Sequence, residues 1–87
     1  MYLKKVMLKE GVRNKIFNKH DIDRIDIEQT IFEGDPFYLR ISKNKYLGIG
    51  NKYKYITIIF RKEKSNAKII TAYQSSRWQI RLYKRKK

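Results

Sequence analysis

The amino-acid sequence predicts a small α+β domain in which two helices precede an antiparallel sheet and a third helix closes the chain. Three observations carry this expectation. Apolar residues recur at helical spacing between Glu10 and Phe32, the period changes to two after Gly34-Asp35-Pro36, and helical spacing returns after Ser75-Ser76. A chain of 87 residues split into two domains would leave neither with a core, so residues 1–87 are expected to form one unit. The predicted order is β-α-α-β-β-β-β-α.

Tyr2 to Lys9 sets Leu3, Val6, Met7 and Leu8 among three lysines and reads as a first strand. From Glu10 to Lys19, the spacing of Val12, Ile16 and Phe17 predicts a short amphipathic helix ending near His20. Asp23 is placed to cap the next helix, with Asp26 three residues on as in a capping box, and Ile27, Ile31 and Phe32 supply its apolar face. Gly34-Asp35-Pro36 stops it.

Beyond Pro36, Phe37, Leu39 and Ile41 alternate with Tyr38, Arg40 and Ser42, and Lys43-Asn44 turns the chain into Lys45 to Gly50 as a hairpin. Tyr55 to Arg61 is nearly all apolar and β-branched, which suits a central strand. Ala67 to Tyr73 forms the last strand. Ser75 or Ser76 then caps a helix running to about Arg85, with Trp78 and Leu82 as its docking face and residues 84–87 as a basic tail. With both early helices on one face of the sheet, Ile56, Ile58 and Phe60 point toward them. Tyr55, Thr57, Ile59 and Arg61, with Ile69, Thr71 and Tyr73 beside them, line the other face. Gly48 and Gly50 alternate on one strand without phosphate-loop spacing and mark a bulge, a bend or a close approach.

Composition narrows the function classes. The chain has no cysteine, which excludes disulfides and thiolate metal sites, and no apolar run approaches the ~18 residues that span a bilayer. The first residues lack the apolar region of a signal peptide, so a cytoplasmic protein is expected, with no membrane partner. Charge is distributed unevenly. Residues 1–35 hold seven Lys and Arg against seven Asp and Glu, whereas residues 36–87 hold fifteen against Glu63 alone, so the whole net charge of +14 arises there. A field of one sign on part of a small domain attracts polyanions, RNA and DNA foremost. Charge kept only for solubility is the competing explanation.

One acid in the basic half argues against a two-metal nuclease, which gathers several carboxylates, and the chemistry available here needs neither metal nor cofactor. Metal-free RNA cleavage has the ribose 2′-OH attack the adjacent phosphate, requiring a proton acceptor, charge stabilisation and a donor to the leaving oxygen. Arginine suits the stabilising role, because its planar fork meets phosphate oxygens two at a time. Arg61, Arg77 and Arg81 are the candidates, the last two one helical turn apart. Tyr73 and Tyr83 are candidates for proton exchange or base stacking. Arg40, Lys45, Tyr46, Tyr55, Lys84 and Arg85 form the expected RNA-binding set, since cations interleaved with aromatics suit single strands. His20, the only histidine, reads either as a general base or as a packing residue between two helices.

Lys19-His20, Asp23, Ile27-x3-Ile31-Phe32, Ile59-Phe60-Arg61 and the run Ile69-Ile70-Thr71-Ala72-Tyr73-x3-Arg77-x3-Arg81-x-Tyr83 together resemble the BrnT family of type II toxin–antitoxin toxins. The resemblance covers about Val12 to Tyr83. It implies a RelE-like fold, metal-independent cleavage of RNA, mRNA in particular, and neutralisation by an antitoxin encoded nearby. Two positions differ from the family pattern: Asp21 stands where Gly is common, and Tyr73 where Arg is frequent. A basic nucleic-acid-binding module without catalysis is the alternative reading, and a partner-binding scaffold a third.

Overall fold

The computed structural model describes residues 1–87. In chain order its elements are β1 Lys5–Met7, α1 Glu10–His20, α2 Arg24–Glu33, β2 Phe37–Ser42, β3 Lys45–Asn51, β4 Tyr55–Glu63, β5 Asn66–Gln74 and α3 Arg77–Lys86. The predicted α+β order is therefore the observed one, with β1 shorter than expected.

The five strands form one sheet in the order β1-β5-β4-β3-β2. The four consecutive strands are antiparallel as predicted, but β1 pairs in parallel with the start of β5, Val6 opposite Ala67, so the sheet is mixed. Parallel entry has a simple cause. After Met7 the chain rises into α1, which packs along β5, so the strand and helix cover successive stretches of the same strand.

Two local devices set the helical layer. α1 ends at Asp21, whose backbone is left-handed (φ 56°) and whose N–H donates to the Phe17 carbonyl. Left-handed backbone favours glycine, and Asp21 adopts it here without one. Asp23 then caps α2 with a full capping box, its side chain accepting from the Asp26 N–H while Asp26 Oδ2 accepts from the Asp23 N–H at 2.9 Å, and Asp23 Oδ1 also accepts from the Arg24 N–H at 2.7 Å. Arg13 on α1 donates to both oxygens of Asp23, at 2.7 and 3.1 Å. The Arg13 guanidinium and the Arg24 N–H hold the Asp23 carboxyl down to about 2.

The core lies between α1, α2 and one face of the sheet, where Ile16, Ile22, Ile27 and Ile31 meet Ile56, Ile58, Phe60, Ile69 and Ala72. This is the face predicted for Ile56, Ile58 and Phe60. Phe17 and Phe32, expected in the apolar stripes, are instead half exposed, because Ile16, Ile27 and Ile31 already fill the contact with the sheet. The glycines of β3 serve packing. A Cβ at Gly50 would stand 2.8 Å from the Thr30 carbonyl oxygen and from its Cγ2, and one at Gly48 would stand 2.9 Å from the Tyr38 ring. Gly50 therefore lets α2 approach the sheet, and Gly48 seats an aromatic ring that meets Phe60 edge-on.

Register differs from unbroken alternation at two places, between Arg40 and Ser42 of β2 and within β5. Ile59 pairs with Thr71 but Phe60 pairs with Ile69, so β5 carries an extra residue, Ile70. This bulge turns Ile69 to the core and leaves Ile70 partly exposed, where an unbroken alternation would have put Ile69 beside Thr71 and Tyr73.

Candidate nucleic-acid interface

The opposite, outer face of the sheet carries Tyr55, Thr57, Ile59 and Arg61 from β4, and α3 covers only one end of it. The covered end is held by Gln79, which is 2% exposed although polar. Its Oε1 accepts from the Ser76 N–H at 2.8 Å and from the Thr57 hydroxyl at 2.9 Å, while its Nε2 donates to the Tyr73 hydroxyl oxygen at 2.9 Å. Thr57 also meets the Ser75 hydroxyl at 2.7 Å. One amide thus ties the start of α3 to the two central strands. Beneath α3, Ile49 is fully buried and Leu47 nearly so, outside the main core.

Tyr83 secures α3 one turn further on. Its hydroxyl lies 2.9 Å from the Asp35 carbonyl oxygen and 3.1 Å from that of Gly34, and its ring meets Tyr55 edge-on at 5.7 Å. Burial, with the Asp35 carboxylate, pushes the Tyr83 phenol above its ordinary value, opposed by Lys87. Trp78 is not in this contact. It is 55% exposed, so of the docking pair expected at Trp78 and Leu82 only Leu82 is half-buried, and the anchoring contacts are those of Gln79 and Tyr83. A helix can dock through polar groups when each of them is satisfied, and no buried side-chain polar atom here lacks a partner.

Beyond α3 the outer face lies open and cationic. Lys45 of β3, Arg61 of β4 and Lys68 of β5 are direct cross-strand neighbours, forming a row across three strands. Glu63, at 3.7 Å from Lys68, is the only carboxylate within 4.0 Å of the row. Arg61 has only a long contact, 3.4 Å, to the Asn44 side-chain oxygen. Like charges facing one another on a sheet oppose folding, so such a row is a standing electrostatic cost that a bound polyanion removes.

The predicted site residues fall into three places. Tyr73 lies beside Thr57 and the start of α3, and its ring centroid is 6.0 Å from that of His20, which reaches it from the end of α1. Arg77, Arg81, Lys84 and Arg85 are exposed on α3, with Lys84 above the Tyr55 ring at 5.9 Å. Arg61 and Lys45 stand four residues along the strands from Thr57 and Ile49, which is ~13 Å away. The structure does not bring Arg61 next to Tyr73. Arg40 and Tyr46 pair with one another on the helix-facing side, where Tyr46 stacks on Phe60 and Arg40 donates to the carbonyls of Ser42 and Lys43.

Sequence reasoning missed Gln79 and Lys68. The capping pattern Ser76-x-x-Gln79 was a signal for the first, and the capping box is present. No signal existed for the second, because the bulge at Ile70 decides which residue of β5 faces Arg61.

A five-stranded mixed sheet with two helices on one face and a third across the end of the other is an arrangement also found among solved structures. One solved structure it resembles is that of the Brucella abortus ribonuclease toxin BrnT, with a TM-score of 0.68 and 22% identity over 84% of this chain and 97% of that one. No protein-family profile and no curated protein matches the sequence. The small α+β fold that the resemblance to BrnT implies is the fold observed. No helix is long and apolar enough to cross a membrane.

Proposed function

We propose that this protein is an endoribonuclease of the toxin type, acting in the cytoplasm on single-stranded RNA, mRNA in particular, without metal or cofactor. The observation that carries the reading is the open cationic strip of Lys45, Arg61 and Lys68, joined to a tyrosine-lined end under α3, in the fold of a ribonuclease toxin. RNA lies along the outer face, its phosphates on Arg61 and its row and on Arg77, Arg81, Lys84 and Arg85 of α3.

The reacting phosphate belongs at the Tyr73 end. The Tyr73 oxygen accepts a hydrogen bond from Gln79, so its own proton is free to pass to the leaving 5′-oxygen. His20, beside the Tyr73 ring, is the proton acceptor for the 2′-OH, and Arg77 and Arg81 supply charge to the phosphorane. Arg61, ~13 Å along the strand, holds a neighbouring phosphate. Tyr83 fixes α3, with both of its contacts made to backbone. An acidic antitoxin encoded nearby covers the same basic surface and silences it.

Incubation of the protein with single-stranded RNA in EDTA tests the reading. Fragments ending in a 2′,3′-cyclic phosphate are expected, and they are lost in Tyr73→Phe. RNA that is shifted but intact would instead support the non-catalytic binding module. That reading is favoured by one observation, the separation of Arg61 from Tyr73. Absence of both cleavage and binding at low salt overturns both readings.

A further inference from the structure

Trp78 is the one large aromatic side chain of α3 that the fold does not use. The helix docks through Gln79 and Tyr83, and Ile80 and Leu82 are half-buried beside them, while the indole stands 55% exposed. Arg81 and Arg85 follow it at three and seven residues, on the same side of the helix, and Arg77 precedes it. From Arg77 to Lys87 there are six Lys and Arg and no acid.

We infer that Trp78 is the platform on which one unpaired base of bound RNA stacks, with the neighbouring guanidiniums on the flanking phosphates; this rests on the RNA-binding reading above. An exposed indole surrounded by cations is suited to a nucleotide, because the ring takes the base through its π face while the charges take the backbone. A protein hot spot needs several apolar neighbours that close around the aromatic and exclude water, and here Leu82 is the one apolar neighbour on that side, half-buried, while Arg77, Arg81 and Arg85 are charged. A bilayer is also a poor match, since Ile80 and Leu82, the other aliphatic residues of α3, are half-buried and leave the indole as the helix's one exposed apolar group. The stacking site sits on the first turn of α3, one residue before Gln79, whose Nε2 donates to the Tyr73 hydroxyl at 2.9 Å, so the base it holds belongs to a nucleotide near the one at Tyr73.

Trp78 is the only tryptophan in the chain, so its emission reports the contact directly. The full chain is titrated with an uncleavable 2′-O-methyl oligoribonucleotide, and binding is followed separately by anisotropy of a labelled copy. Emission is expected to fall along the same curve as binding, and an abasic oligonucleotide is expected to bind without that fall. Trp78→Ala weakens binding by about tenfold, whereas Trp78→Phe, which keeps a ring, weakens it by less than about threefold. Both variants retain the parent circular dichroism, because the side chain is exposed. Binding with unchanged emission, or with unchanged affinity in Trp78→Ala, overturns the stacking assignment and leaves RNA binding standing. No anisotropy change at low salt overturns the RNA-binding reading and the assignment with it.

Discussion

The sheet has two regions built on opposite terms. Under α2 and α3, β3 and β4 are covered on both faces, and each polar group brought inside is paired: Thr57, Ser75, Ser76, Tyr73 and Gln79 share one network. Past the end of α3 these strands and β5 carry Lys45, Arg61 and Lys68 side by side with a single loose carboxylate near them. The first region concentrates stability and the second gives some of it up. That difference teaches where to look for function, because natural folds tolerate unrelieved like charge where a ligand relieves it.

The contrast breaks most visibly at Gln79. Gln79→Ala leaves Thr57, the Ser76 N–H and the Tyr73 hydroxyl without their partner and opens a void, at an expected cost of about 3 kcal/mol in urea unfolding. If the cost is below about 1 kcal/mol, α3 is not anchored by that network. Gly50→Ala probes the covered region from the other face. A Cβ placed 2.8 Å from the Thr30 carbonyl forces α2 off β3, so unfolding should become easier by about 2 kcal/mol, with the outer face and RNA affinity unchanged.

Tyr83→Phe is a smaller and more selective test. It removes the hydroxyl contacts to Gly34 and Asp35 and should cost about 1 kcal/mol. It also predicts a pH effect. The Tyr83 phenol is raised by burial, so its contribution to stability is complete below the ordinary tyrosine value of about 10 and is lost as pH rises through the higher folded value. The stability lost as pH rises above about 10 should therefore be smaller in Tyr83→Phe than in the parent.

Much of the covered region was legible in the sequence because its signals are local. Asp23 and Asp26 announced the start of α2, Pro36 the change of period, and Ile56, Ile58 and Phe60 the core face of β4. What was hidden depends on chain segments meeting at a distance. The bulge at Ile70 re-aims Ile69 and puts Lys68 beside Arg61, and nothing in the strand's own alternation signals it. The side of α3 that docks was misjudged for a related reason. Trp78 and Leu82 have the apolar spacing, but Thr57 and Tyr73 waiting on the sheet offer hydrogen bonds, and those select Gln79. The site was read as one set of arginines and tyrosines, whereas the length of β4 separates Arg61 from Tyr73.

Arg61→Ala should leave folding almost untouched and so gives the finest division between the two regions. Removing the middle charge of the row relieves repulsion from Lys45 and Lys68, and the contact to Asn44 is long, so stability should stay within about 0.5 kcal/mol of the parent or rise slightly. RNA binding should respond in the opposite direction. One fewer phosphate contact lowers the slope of log affinity against log salt by about 0.7 for a single strand, and the loss should be uniform across sequences. Cleavage at saturating RNA should persist if Arg61 holds a neighbouring phosphate ~13 Å from Tyr73. If cleavage at saturation collapses while the salt slope is unchanged, the reacting phosphate lies at Arg61, and the open end of the sheet is the catalytic centre.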